Sequence, residues 1–256
     1  MPARPPAPPA APADAPSDAP GPDGARSAGA AGSAAGASAP VPPLRYAPPQ
    51  EPWLPVLLAD DDALAVDKPA GLLTVPGRTP DLADCAEARA RRLFPGALIV
   101  HRLDMDTSGA LLMARNRRAQ RILSLQFERR HVRKAYIARV RGQVADEAGE
   151  IDLPLICDWP NRPRQMVDHA RGKPALTRWR VLAREDGATR LLLEPLTGRS
   201  HQLRVHMLAI GHPILGDRLY GGPEPGAERL QLHAWRLDFR HPRDGAHVRV
   251  EAPCPF

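Results

Sequence analysis

Long apolar runs are missing from this chain. No stretch of its 256 residues reaches the roughly 18 apolar positions that a membrane-spanning helix needs. Cysteine is scarce: Cys85, Cys157 and Cys254 are odd in number, widely spaced, and form no Cys-x-x-Cys. That argues against a disulfide framework and a thiolate zinc site, and it fits a reducing cytoplasm. Gly-x-x-x-x-Gly-Lys and Gly-x-Gly-x-x-Gly are both absent, so neither common phosphate cradle is present. Without Gly-x-Ser-x-Gly there is no nucleophile elbow of the serine hydrolases. Nine histidines invite a metal, but no His-Glu-x-x-His occurs, and His201 and His206 are five apart, which sends them to different sides of a helix. We therefore read the chain as needing no metal and no organic cofactor.

Acid is the next shortage. The net charge is +6 and the pI about 9.8, so a polyanionic partner suits the chain. Between positions 113 and 141 ten Arg or Lys side chains face a single acid, Glu128. Asn116 can cap a helix running through His131, with Ile122, Leu123, Leu125 and Phe127 on its apolar side. Arg117 and Arg121 then project together. A charge run is usually a solvated face, but like charges this dense repel, and phosphates would relieve that repulsion.

Residues 1 to 40 hold 15 Ala, 10 Pro and 5 Gly, with Met1 the only large apolar side chain. Such a segment cannot offset its ordering entropy, so residues 1–44 are read as a disordered tail and 45–256 as the folded domain. The tail lacks the apolar core of a secretory signal. Order begins near Pro48 to Leu54. Ala63 to Val66 and Leu72 to Val75 read as short strands, and Asp81 can cap a helix from Leu82 to Leu93 whose buried face includes Leu82, Cys85, Ala86 and Leu93. Ala135 to Arg141, Ile151 to Ile156, Thr177 to Val181, Leu191 to Leu193 and Leu230 to Phe239 read as further strands. His201 to Ile210 reads as a helix closed by Gly211. Strands outnumber helices, and many are close enough in sequence to pair antiparallel. The expectation is an α+β, or mixed α/β, fold on one largely antiparallel mixed sheet.

The chain turns on His101-Arg102-Leu103-Asp104-Met105-Asp106-Thr107-Ser108-Gly109, set between the apolar runs Ala97 to Val100 and Ala110 to Ala114. A charge carried inward by apolar neighbours must be paired or must line a cleft. If extended, the stretch puts Arg102, Asp104 and Asp106 on one face. Two readings stand open on residue types alone: a structural Arg–Asp pair beside a turn closed by Ser108-Gly109, or a cleft carboxylate poised as nucleophile or acid–base group. A glycosidase using Asp104 and Asp106 is disfavoured, since the two are crowded for opposed roles around a sugar ring and the basic surface would be idle. A non-catalytic RNA-binding assembly factor uses the basic surface but has no need of Asp104.

His-Arg-Leu-Asp-x-x-Thr-Ser-Gly resembles the signature of the RluA family of RNA pseudouridine synthases, with every fixed position present. Lys134 to Gly142 is similar to the family's second motif and Thr197 to His206 to its third. The resemblance runs from about residue 48 onward. It implies the pseudouridine synthase fold, with a cleft between two halves, and isomerisation of a uridine flipped out of a structured RNA. It implies Asp104 as nucleophile, Tyr136 as the residue stacking on the uracil and possible base, and Arg204 as the cation beside Asp104. It further implies that Leu203 lines the pocket and that Arg102 fills the space left by the flipped base. His101, Thr107, Arg199, His201 and Gln202 join the substrate site. Arg117, Arg121, Arg133 and Lys134 are assigned to the RNA backbone. The Pro48 to Leu54 entry, the Asp158-Trp-Pro-Asn-Arg-Pro loop and the His212 to Asp217 segment resemble the RluA subgroup, which modifies a tRNA anticodon stem-loop and a 23S rRNA hairpin. Many relatives carry an S4-like module at the N-terminus; here the Ala/Pro tail stands in its place. A monomer is expected. The chemistry breaks the N1–C1′ bond, turns the uracil and rejoins it through C5, with no redox change.

Overall fold

A computed structural model describes residues 45–222 and 227–256. The tail expected over 1–44 lies outside the described residues. Twelve strands and three α-helices occur among the residues described. In chain order they are β1 (Val56–Ala59), β2 (Ala63–Lys68), α1 (Ala86–Leu93), β3 (Leu98–Ile99), β4 (Ser108–Ala114), α2 (Arg117–Glu128) and β5 (Arg133–Arg141). There follow β6 (Ala148–Asp152), β7 (Leu155–Cys157), β8 (Gln165–Val167), β9 (Leu176–Glu185), β10 (Ala188–Pro195), α3 (Gln202–Ala209), β11 (Leu232–Arg240) and β12 (His247–Glu251). Ten strands form one mixed sheet, ordered β1-β2-β4-β11-β5-β10-β9-β6, with β3 also paired to β4 and β12 to β11. Strands β7 and β8 make a separate pair. No helix among the described residues is long and apolar enough to cross a membrane.

The middle of the sheet explains itself from sequence. All seven residues of β4 are buried. Leu111 and Met113 enter one apolar cluster, and Ala110, Leu112 and Ala114 enter another on the opposite face, as the two-residue period of a strand requires. Each fully buried Leu or Met contributes about 1.5–3 kcal/mol. Asn116 caps α2 by accepting from the Ala119 N–H at 2.9 Å, and Ala119 and Leu123 cover the second cluster. Within the large sheet β4 and β11 pair parallel, His233 opposite Ser108 and Ala234 opposite Gly109, while every other pair is antiparallel. That approach demands a glycine. Gly109 has φ +112°, and a Cβ there would lie 2.3 Å from the Ala234 carbonyl oxygen.

Several expectations are corrected. The signature stretch is not extended before Ser108: Met105 and Asp106 form a turn, so Arg102, Asp104 and Asp106 share no strand face, and Ser108-Gly109 begins β4 rather than closing the turn. Leu72 to Val75 is not a strand, because its backbone groups bond the Lys68 ammonium, the Tyr46 hydroxyl and the N–H groups of Ala86 and Glu87 instead of a neighbouring strand. Helix α1 starts at Ala86, capped by the Cys85 sulfur rather than by Asp81. Asp84 is taken by Arg89, which is fully buried against Trp53 while Leu93 is exposed. The guanidinium is satisfied by Asp84 and the Trp53 carbonyl, so the helix buries an arginine where its pattern promised a leucine. Helix α2 stops at Glu128 because Arg130 adopts φ +60°, and Leu125 faces solvent. Strand β12, made of alternating Val and charged residues, was not expected at all.

Candidate active site

Two tethers hold the signature loop against the segment after β2. The Thr74 hydroxyl donates to the Leu103 carbonyl at 2.7 Å and accepts from the Leu103 N–H at 3.2 Å. The Lys68 ammonium, fully buried, donates to the carbonyls of Leu72 (2.7 Å), Met105 (2.9 Å) and Pro69 (3.0 Å). Burial pushes the Lys68 pKa down to about 7, against the pull of the Asp106 and Asp104 charges. Lys68 therefore acts as a cationic knot, bonding three carbonyls that the turn leaves without a strand partner.

The loop delivers Asp104 into a cavity of about 630 Å³. The Asp104 side chain keeps 27% of its surface exposed. Its Oδ2 lies 3.3 Å from the Arg204 Nη1 and 4.0 Å from the His201 Nε2. Its Oδ1 has no hydrogen-bond partner among the described residues. One oxygen is thus anchored and the other is open.

Arg204 projects from α3, and its main partner is Asp217, not Asp104. Nε and Nη2 of Arg204 donate to the two Asp217 oxygens, both at 2.7 Å. Both side chains of this bidentate pair are buried. Burial alone would lower the arginine pKa, but the Asp217 hydrogen bonds and charge, with that of Asp104, raise it. Asp217 is fixed in turn by the backbone N–H groups of Leu219 and Tyr220. The chain can place it there because residue 216 is glycine: φ is +71°, and a Cβ would lie 1.9 Å from the Arg229 carbonyl oxygen.

The Tyr220 hydroxyl accepts from the Gln165 N–H at 2.8 Å and lies 2.7 Å from the His201 Nδ1. Burial pushes the Tyr220 pKa up to about 12 and lowers that of His201. A protonated phenol donating to a neutral imidazole leaves the His201 proton on Nε2, pointing toward Asp104.

Tyr136 lies on β5, in contact with two apolar clusters at once, and lines the cavity. Burial, then the Asp104 charge, raises its pKa, so the phenol stays protonated. That suits an aromatic platform better than a base. His101 also lines the cavity, but its Nε2 accepts from the Leu112 N–H at 2.9 Å and its ring stacks on Phe127 at 4.4 Å. Burial pushes its pKa down to about 3, so it is a neutral wall. Arg102 is exposed at the rim, Thr107 is buried, and Leu203 joins cavity and core. Gln202 is occupied by Thr197, Thr177, the Leu176 carbonyl and the Arg199 N–H, bracing the turn into α3. Arg199 donates to the Pro174 carbonyl. Lys134 donates to the Thr197 carbonyl at 2.9 Å, with burial pushing its pKa down to about 8.

Of the side chains assigned to the RNA backbone, only Lys134 lines the cavity. Arg117, Arg121 and Arg133 are exposed outside it. Phe127, Glu128 and Arg130, at the end of α2, line the cavity, and Arg117 lies ten residues back, about 15 Å at 1.5 Å per residue. Sequence reasoning missed Lys68, Thr74, Asp217 and Tyr220. The only signals were a lone lysine before Pro69 and an aspartate after Gly216. No group of three His, Cys, Asp or Glu among the described residues could hold a metal.

A family model described as RNA pseudouridylate synthase matches residues 62–209. The dual-specificity RNA pseudouridine synthase RluA of Escherichia coli K12 is 51% identical over 214 residues, covering 82% of this chain and 98% of that protein. The protein of the same name from Vibrio vulnificus is 50% identical over 220 residues, 83% of this chain and 88% of that one. Among solved structures, human RNA pseudouridylate synthase domain containing 1 superposes with a TM-score of 0.66 at 35% identity, covering 79% of this chain and 84% of that one.

Proposed function

The chain belongs to the RNA pseudouridylate synthase family and is an RNA pseudouridine synthase, and we propose that Asp104 is its nucleophile, acting on a uridine flipped out of a folded RNA into the cavity. The observation that carries this reading is the unequal state of the two carboxylate oxygens, Oδ2 tied to Arg204 and Oδ1 open. Oδ1 is the attacking atom. Arg204, held by Asp217, and the Nε2–H of His201 keep the carboxylate from turning away. Oδ1 bonds to C6 of the base or C1′ of the ribose, the bond from N1 to C1′ breaks, the uracil turns, C5 bonds to C1′ and the bond to Oδ1 is released; the C5 hydrogen leaves as a proton to solvent and N1 takes one up.

Base extrusion costs a few kcal/mol, and less where the base already lies in a loop. Stacking on the Tyr136 ring offsets roughly 1–3 kcal/mol of it. Arg102, exposed at the rim, enters the gap left in the RNA. Residues 45–256 form the catalytic unit. The name of the curated relatives supports two substrates, which we take to be a tRNA anticodon stem-loop and a 23S rRNA hairpin. Pseudouridine mapping of both RNAs tests this. Wild-type protein should convert one uridine in each and Asp104→Asn none. Conversion of only one RNA would remove the second specificity, and conversion by Asp104→Asn would remove Asp104 from its role.

A further inference from the structure

Trp159 is the most exposed large apolar side chain among the described residues, with 68% of its surface open. A tryptophan left in water forgoes a large burial gain, so one held out deliberately points to a partner. The Asp158–Gln165 loop holds it out. The Asp158 N–H donates to the Arg164 carbonyl, the Arg164 N–H to the Asn161 carbonyl, and the Asn161 N–H to the Asp158 carbonyl, each at 3.0 Å. The Asn161 amide adds a bond to the Asp158 carboxylate. The Arg162 guanidinium lies 4.1 Å from the indole centroid, leaving the rest of the ring to solvent. An aromatic plane backed by a guanidinium is a surface on which an unpaired nucleobase stacks, its phosphate drawn by the cation.

The loop is also wired to the cavity. Its last residue, Gln165, donates to the Tyr220 hydroxyl, which bonds His201 on the cavity wall. Arg199, also on that wall, donates to the Pro174 carbonyl, and neighbouring Lys173 pairs with β7, the strand that leads into the loop. These bonds tie the loop to the cavity wall.

We propose that the Asp158–Gln165 loop is a second nucleobase site, where Trp159 backed by Arg162 stacks on an unpaired base of the substrate RNA outside the cavity. The inference rests on the reading of the substrate as a looped RNA. An acidic peptide would satisfy Arg162 and leave the indole in water, so a base fits both groups better.

The test is a titration of the full-length protein with the anticodon stem-loop and the 23S hairpin, alongside tritium release from uridine labelled at C5. Trp159→Ala should raise Kd and KM about tenfold for at least one RNA. Trp159→Phe should recover most of that affinity while losing the RNA-induced quenching of indole emission expected of Trp159 in the wild type. The slope of log Kd against log salt should not change in Trp159→Ala, since no phosphate contact is lost. The melting temperature should stay put in both variants. Kd within twofold of wild type for both RNAs in Trp159→Ala would overturn the proposal. So would Trp159-dependent self-association in sedimentation, which would mean a second copy covers the indole. Wild-type turnover separates this from the substrate reading: RNA binding that depends on Trp159, by a wild-type protein that isomerises neither RNA, sustains the site and sinks the substrate reading.

Discussion

Asp217 never reaches the cavity wall, yet it decides where the Arg204 charge sits. Without it the guanidinium would be a buried cation with only Asp104 to bond, and it would pull that carboxylate inward. Breaking a buried pair by removing one partner costs about 3–5 kcal/mol. Asp217→Asn is therefore expected to lower thermal stability by an amount of that order and to reduce kcat more than it raises KM; calorimetry and steady-state kinetics check it. Tyr220→Phe asks a finer question. It removes one hydroxyl that accepts from Gln165 and bonds His201, so a stability loss of about 1–3 kcal/mol is expected. The His201 ring should also lose its single tautomer, which its ¹⁵N chemical shifts would report; an unchanged tautomer would mean that Tyr220 does not orient it. Little of this was legible in the sequence. Asp104 stands inside a run of residues that points to its role, whereas Asp217 ends a segment noted only for its subgroup resemblance, and its role emerges only when folding brings it to α3.

The elements were more legible than the links between them. Apolar alternation located β5 and β9, a short apolar run located β10, and Asn116 located the start of α2, because those signals are local. The signature loop does not take the extended form its sequence left open, because its shape is set from outside, by Thr74 and Lys68 bonding its carbonyls. Removing the Thr74 hydroxyl should therefore matter at a distance from the reacting atoms. In Thr74→Val the Leu103 carbonyl and N–H lose their buried partner, a cost of about 1–3 kcal/mol, and kcat should fall with RNA affinity unchanged. Helix α2 presents the opposite case. Its basic face was read from spacing, and Arg117 and Arg121 do project outward, but they sit away from the cavity. They should act on affinity alone. In the double variant Arg117→Ala, Arg121→Ala the dependence of log Kd on log salt should flatten by about one to two units at roughly 0.7 per phosphate on single strands, and an unchanged slope would place the phosphate track elsewhere.

Across the whole molecule, several histidines are neutral because the fold buries them. Burial pushes the pKa of His101 down to about 3 and of His233 to about 4, and lowers those of His201 and His206. Unfolded, each binds a proton near pH 6.5. As pH falls through 6.5 the unfolded chain takes up protons that His101 and His233 in the folded chain refuse until pH 3–4, so stability should drop steadily across that window. Lys68 has the same sign at higher pH: the folded state gains stability relative to the unfolded one as pH rises from about 7 toward 10.5. Thermal melts from pH 8 down to pH 4 should fall monotonically, and His233→Asn should flatten the lower part of the curve. Removal of residues 1–44 should leave turnover of both RNAs unchanged, and a large loss would give that segment a part in RNA binding. The fold class was readable from strand count and spacing, because that pattern repeats along the chain. The parallel contact of β4 with β11, on which the site depends, was not, since it joins segments more than a hundred positions apart.

The central claim is that one open carboxylate oxygen carries the chemistry while the rest of the site only holds it. Single-turnover tritium release by Asp104→Asn, with the enzyme in excess over RNA labelled at C5 of uridine, tests this most directly because it removes binding from the rate. The account predicts RNA bound with Kd within about twofold of wild type and no release above background. Release at a rate near that of the wild type would contradict it.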